Sequence, residues 1–354
     1  IIGYRAEMID AAGRSVCDLP VASGSVDFDG ESTEQWACSL TVVGGEWIPQ
    51  GPSDPLDPRS GLRCRLWWRI KIGAQWLEVP IGTYWLEDPR ISDDGPVAVI
   101  QLTGRDQLAI IRRSGYGSAT VAVGGLTVPA AIARIMGVVA PATALRMDAT
   151  STVTLPDPYE VGARDPLEDI VGIAAQAGLI VCTDREGAVL VTAPPAPETI
   201  RANWQEGDDC PVVSMGRDIT TSEMVNSVTV VSTNPDVQPS VSATAEDDDP
   251  SSPTYIGGVW GRRGVTIRSD AVASIDGALG LARTTLEGRR RPTESVEVQV
   301  PGRGDLSYRD LVALARAESG VGGLYRVAKW RLPITAPDEA PPLMTVTMQT
   351  RSLV

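Results

Sequence analysis

Histidine is absent from all 354 residues of this chain, and that absence removes most common catalytic designs. Ser-His-Asp and Cys-His nucleophile activation need an imidazole to carry the proton, and His-ligated metal centres need one as a ligand. Cysteine is scarce as well. Cys17, Cys38, Cys64, Cys182 and Cys210 are widely spaced, odd in number and free of any Cys-x-x-Cys pair, so neither a zinc nor a disulfide framework is expected. Cys38 and Cys64 fall on apolar positions of strand-like runs, and reduced structural thiols made in a cytoplasm are the expectation. No Gly-x-x-x-x-Gly-Lys phosphate loop occurs, and Gly320-Val321-Gly322-Gly323 lacks the strand-then-helix setting of a dinucleotide site. No apolar run approaches the roughly 20 residues that cross a bilayer, and no basic-then-apolar leader opens the sequence. The chain begins at Ile1 rather than Met, so its natural start is expected upstream.

Lysine is nearly missing too. Lys71 and Lys329 are the only two among 31 basic residues, and Phe28 is the one phenylalanine, a bias typical of a GC-rich coding genome. What is abundant is apolar and acidic: 43% of residues are hydrophobic, 21% are charged, and the net charge is −14. Such a chain can bury real cores, and its length exceeds what one core organises, so two or three domains are expected. The acidic balance argues against a duplex-binding protein, because phosphate binding is driven by Lys and Arg displacing counterions.

Periodicity assigns the segments. In Arg63 to Ile72, one face carries Cys64, Leu66, Trp68, Ile70 and Ile72 and the other Arg63, Arg65, Trp67, Arg69 and Lys71, which is the period of a half-buried strand. Gly73-Ala74-Gln75 turns it into a hairpin with Trp76 to Leu86, and Gln35 to Val43 alternates likewise. Residues 1–113 therefore read as a first antiparallel β domain. Residues 114–200 read as a small α+β domain. There Val128 to Val139 is helical, Asp165-Pro166-Leu167-Glu168 caps a helix that Gly178 closes, and 179–183 with 188–192 form a hairpin. Ala193 to Pro197 reads as a stiff connector. Residues 201–354 are β-rich with one helix at about 270–288 capped by Asp270. In that region Met224 to Ser232, Ser295 to Val300 and Met344 to Arg351 read as strands, and Asp310 to Arg316, which a helix could also fit, is assigned as a strand. The fold class is mainly β, α+β overall: two tube-like antiparallel barrel or sandwich regions with the small α+β domain between them.

One loop is too irregular for a helix or strand and too patterned for a flexible linker: Asp247-Asp248-Asp249-Pro250-Ser251-Ser252-Pro253-Thr254-Tyr255-Ile256-Gly257-Gly258. Its prolines fix φ and its glycine pair admits conformations closed to other residues. With the following Gly261-Arg262-Arg263-Gly264 it resembles the baseplate hub or minor tail proteins of long-tailed bacteriophages, particularly phages of actinobacteria. Further segments of that resemblance are Gly82 to Pro89, Ser92-Asp93-Asp94-Gly95, Thr103 to Asp106, Gly323 to Val327 and Met344 to Met348, in the same order along most of the chain.

The resemblance implies a non-enzymatic virion protein of the tail tip, assembled in the host cytoplasm. It implies a ring of three copies that surrounds the DNA exit channel and meets a distal tail protein ring, the tape-measure protein and fibre or tip proteins, with DNA passing through unbound. The residues expected to bind partners are Asp247, Asp248, Asp249, Pro250, Pro253 and Tyr255 of the loop, with Arg63, Arg65 and Arg69 of the basic strand face. No catalytic residue, cofactor or metal is expected. The four acids 246–249 could bind Ca2+ or serve as a glycosidase pair, though consecutive acids more often form a solvated loop edge. The alternatives are a cell-wall glycosidase or carbohydrate-binding tail protein, and a hexameric distal tail or tube protein.

Overall fold

Strict alternation of apolar and polar residues forces a strand to bury one face, and this chain has enough such runs to build its framework from sheet. The computed structural model describes residues 2–350 except 93–96, 118–119, 163–164, 197–198, 234–238, 270–271, 273, 291 and 336–342. Asp93, Asp94, Gly95, Pro197, Asp270 and Arg351 thus lie outside the described residues. The chain forms two compact units: residues 1–215, 298–313 and 327–347, and residues 216–297, 314–326 and 348–354.

In the first unit a large antiparallel sheet runs, strand by strand, through the 327–334 part of Val321–Ile334, Val21–Asp29, Trp36–Val43, Val99–Arg105, Gln75–Ser92, Arg63–Ile72, Ile2–Ile9 and Ser15–Asp18. Trp36, Cys38, Leu40 and Val42 are buried as their alternation requires, as are Cys64, Leu66 and Trp68. Phe28, Trp36 and Trp330 form an aromatic cluster with ring centroids 4.6–5.5 Å apart. The fold is mainly β, as the periodicity indicates, but the sheets are open: among the described residues no ring of strand pairings closes a barrel.

The strands end where Asp106 accepts hydrogen bonds from Leu108 N (3.1 Å) and Ala109 N (3.2 Å), capping helix α1, Gln107–Ser114. This helix was not among the elements expected within residues 1–113. The apolar run Leu108-Ala109-Ile110-Ile111 fits a strand equally well, and the cap decides. Helices α2 (Val128–Val139) and α3 (Pro166–Gln176) follow, α3 capped by Asp165, whose Oδ1 accepts from Leu167 N at 2.8 Å. Gly178 takes the left-handed conformation (φ 67°) that ends α3. The hairpin Ile180–Thr183 and Val189–Thr192 forms as its pattern indicates, and Leu145–Met147 pairs parallel to it.

The hairpin is bound to the large sheet by a residue that its turn signature hides. Arg185 Nη1 donates to Pro80 O (3.2 Å) and Gly304 O, and Nη2 donates to Leu306 O (2.9 Å) and Ser307 Oγ (3.2 Å). Thr83 Oγ1 donates back to Arg185 O at 3.1 Å.

In the second unit Ser227–Ser232 is the middle strand, antiparallel to Ser242–Glu246 and parallel to Gly264–Ser269. Helix α4 (Ile275–Arg289) covers it, burying Ala278, Ala282 and Leu286 against Val228, Val230 and Ala245. The helix begins with Ser274 as its cap, where Oγ accepts from Gly277 N at 3.1 Å. Val272, which falls within the expected 270–288 helix, is buried ahead of the helix, and Ile275 is exposed. The strand expected from Met224 starts only at Ser227, because Met224 N closes a turn onto Thr221 O. Leu311–Arg316 is a strand, as assigned.

Candidate partner-binding site

The 247–263 loop joins the edge strand Ser242–Glu246 to the strand Gly264–Ser269, and polar side chains fix its shape. Asn226, fully buried just before the middle strand, donates from Nδ2 to Thr254 O (2.9 Å) and Gly261 O (2.7 Å), and its Oδ1 accepts from Arg263 N at 2.7 Å. One amide therefore pins the loop at three points. The backbone closes the same knot, with Asp247 N donating to Asn226 O and Ile256 N to Asp247 O.

Asp247 is the second anchor and points inward. Its Oδ2 accepts from Ser252 Oγ at 2.6 Å and Thr254 Oγ1 at 2.5 Å, and Arg290 Nη1 lies 3.7 Å from Oδ1. Burial pushes its pKa up, but those hydroxyls and the Arg290 charge outweigh it and hold the carboxyl below its ordinary value. Asp249 folds its own turn, accepting from Ser251 N (2.8 Å) and Ser251 Oγ (2.7 Å), and these bonds lower its pKa too. Glu246 accepts from Ser227 Oγ at 3.2 Å and pairs with Arg262. The run of acids is thus divided among separate partners. Among the described residues no group of three or more Cys, Asp or Glu side chains converges on a possible metal position.

The outward side is different in character. Asp248, Asp249, Pro250 and Pro253 are exposed, Tyr255 is half-buried, and Val259 is completely bare. Trp260 sits beneath the Arg263 guanidinium at 4.2 Å from the ring centroid. Beside the loop a cleft of about 730 Å³ runs along α4, with Leu279 and Leu286 below Arg262, Arg283, Arg290, Glu246 and Glu287. Of the expected loop residues, five face outward or partly so, and Asp247 is instead the brace. Asn226, Val259 and Trp260 escaped notice in the sequence, and Arg263 was noted only as part of the Gly261–Gly264 turn. The Asn lies ahead of a Val-rich run, and nothing local marks it as the knot.

The three arginines expected to bind a partner lie in the first unit, on one face of Arg63–Ile72. Arg63 Nη2 donates to Asp10 O (3.1 Å) and Ala11 O (3.3 Å). Arg65 lies 3.8 Å from Glu7, and Arg69 lies 3.8 Å from Glu78 and 4.5 Å above the Trp76 ring. Each therefore has a partner inside its own sheet.

No family model and no curated protein matches this sequence. Solved structures do. A tail protein from Neisseria meningitidis MC58 superposes with a TM-score of 0.69 at 15% identity, over 99% of this chain and 97% of that one. The 43 kDa tail protein of prophage MuSo2 from Shewanella oneidensis gives 0.64 at 16%, over 98% and 97%. Prophage tail protein gp18 from Listeria monocytogenes EGD-e gives 0.58 at 10%, over 99% and 95%. The chain has the fold of these tail proteins, two of them from prophages, along nearly the whole length of each.

Proposed function

We propose that this chain is a structural protein of a phage tail tip: a hub ring that joins the tail tube and its distal tail ring to fibre or tip proteins, and through which DNA leaves. The observation that carries the reading is the end-to-end match of fold with three phage tail proteins of similar length. The resemblance of the 247–264 segment to actinobacterial phage tail proteins adds the hub position. Three copies, each with two β-rich regions, would match a sixfold tube, and tape-measure protein would meet the ring from above. The loop supports a contact role. It is held by Asn226 and Asp247 before anything docks, so little ordering entropy remains to be lost on binding.

The expected assembly is a homotrimer of about 112 kDa, three times the 37.5 kDa chain, read by light scattering and by image symmetry of the tail tip. A sixfold ring would move the assignment to a distal tail or tube protein, and a monomer in the virion would overturn the hub. Replacing Pro250 and Pro253 together by Gly should leave the monomer folded while weakening assembly, since it returns chain entropy to the loop. Unchanged assembly would remove the loop from the interface. The protein is read as non-enzymatic, and purified chain is expected to leave peptidoglycan and polysaccharide intact. Turnover abolished by Asp248→Ala or Glu246→Ala would replace this reading with the glycosidase.

A further inference from the structure

The hairpin formed by Arg63–Ile72 and Gln75–Ser92 carries its apolar alternation past the end of the core. Cys64, Leu66 and Trp68 are buried, yet farther along the same face Ile72 is 64% exposed and Leu77, paired with Ile70, is 56% exposed. On the opposite face Trp76 is 40% exposed, with Arg69 4.5 Å and Lys71 6.0 Å from its ring centroid. The tip is therefore apolar on one side and aromatic and cationic on the other. Bare aliphatics around a Trp with a guanidinium on its face are the composition of interface centres, where Trp and Arg carry the largest share of binding energy.

The same unit contains a recess of about 640 Å³, lined by Trp36, Thr183, Glu186, Leu190, Tyr308 and Asp310 among others. That size lies within the roughly 300–1,000 Å³ of clefts that enclose compact groups. The one basic residue on its wall, Arg185, has turned its donors to the carbonyls of Pro80, Gly304 and Leu306. Asp184 is paired with Arg146 at 2.9 Å and Asp310 accepts from Ser307 N at 2.8 Å, which leaves the exposed Glu186 as the acid facing an incoming group. The Thr183 hydroxyl is buried there with no hydrogen-bond partner. The recess thus offers apolar walls and the exposed Glu186 carboxylate.

We propose that the Ile72–Leu77 hairpin tip of one copy of this chain seats in this recess of the next copy, with Lys71 toward Glu186. A second copy is the occupant because both complementary surfaces belong to one chain, and the tip is locally basic on a chain of net charge −14. Two different faces meeting head to tail make a heterologous contact, the kind that closes a ring. This inference rests on the ring reading above and names its contact.

The test is the mass and dissociation constant of the full-length protein by light scattering and dilution. Trp76→Ala combined with Leu77→Ser should weaken self-association at least 30-fold, the scale of a lost interface anchor, while thermal unfolding of the dilute monomer keeps its wild-type midpoint. Lys71→Glu and Glu186→Lys are both surface substitutions and should each weaken association about tenfold, and the double exchange should recover most of it, because the pair is then restored with its signs reversed. Tip variants and charge exchanges that assemble as wild type overturn the hairpin contact and leave the ring standing. A wild-type chain that stays monomeric at every concentration overturns both.

Discussion

At the scale of single residues, the buried polar groups fix the loop and the strand ends. Asn226 satisfies two carbonyls and one amide with no exposure to water. Asn226→Ala should cost about 3 kcal/mol, because it strands buried groups that each carry about 1–3 kcal/mol of desolvation. Urea unfolding measures the loss, and protease should then cut within 247–263 first. Asp106 makes a second case, with pH as the handle. It accepts from four backbone amides, those of Gln35, Trp36, Leu108 and Ala109, yet burial pushes its pKa up to about 6. An unfolded Asp releases its proton near about 3.9. Between those values the native state binds more protons, so this group's contribution is full below about pH 4 and is lost as pH rises through about 6. The stability gap between wild type and Asp106→Asn should therefore shift by about 2 kcal/mol between pH 4 and pH 7, against the wild type at the higher pH. Urea midpoints at both pH values check it, and a pH-independent gap refutes it.

At the scale of elements, legibility followed locality. The strands Trp36–Val43 and Arg63–Ile72 and the helix Pro166–Gln176 were readable because period, cap and closing Gly all lie within a few residues of one another. Helix α1 escaped because eight residues hold too few turns to separate a helical from a strand period, and α4 was given the wrong start because Ser274 and Asp270 are equally good caps on paper. Tertiary fasteners were not readable at all. Arg185 sits in an ordinary Asp-Arg-Glu-Gly turn, and its carbonyl partners lie more than 100 residues away. Arg185→Ala should remove four hydrogen bonds between the hairpin and the sheet and cost on the order of 3 kcal/mol. Hydrogen exchange should show residues 180–192 opening before the sheet strands do. Gly304 belongs to the same junction. A Cβ there would meet Trp68 Cβ at 2.6 Å and Ile81 Cγ2 at 2.8 Å, so Gly304→Ala is expected to destabilise by about 1–3 kcal/mol through overpacking. A thermal midpoint unchanged from wild type would show that the loop can yield.

At the scale of the whole chain, charge and fold point the same way. The loop resemblance and the β-rich ends were visible in the sequence. The extent of the match, with 95% or more of three tail proteins covered at 10–16% identity, was not. Folds are kept by burial pattern while individual residues drift, so end-to-end likeness shows only in three dimensions. For the proposed hub ring, the surplus of acids has a consequence. Each Lys or Arg that neutralises a phosphate releases counterions and holds the duplex, and a net charge of −14 opposes that retention. Here many of the arginines are already engaged, with Arg5, Arg65 and Arg69 beside Glu7 and Glu78, and Arg217 and Arg262 beside Glu294 and Glu246. The assembled protein is therefore expected to show no measurable duplex binding at physiological salt, and reversing acids to lysine should make binding appear with a steep salt dependence. Gel shift or anisotropy with a labelled duplex, repeated from about 50 to 200 mM salt, measures both. Tight binding by the wild-type protein that weakens steeply with salt would mean that basic groups face the nucleic acid, and it would count against a channel that lets DNA slide past.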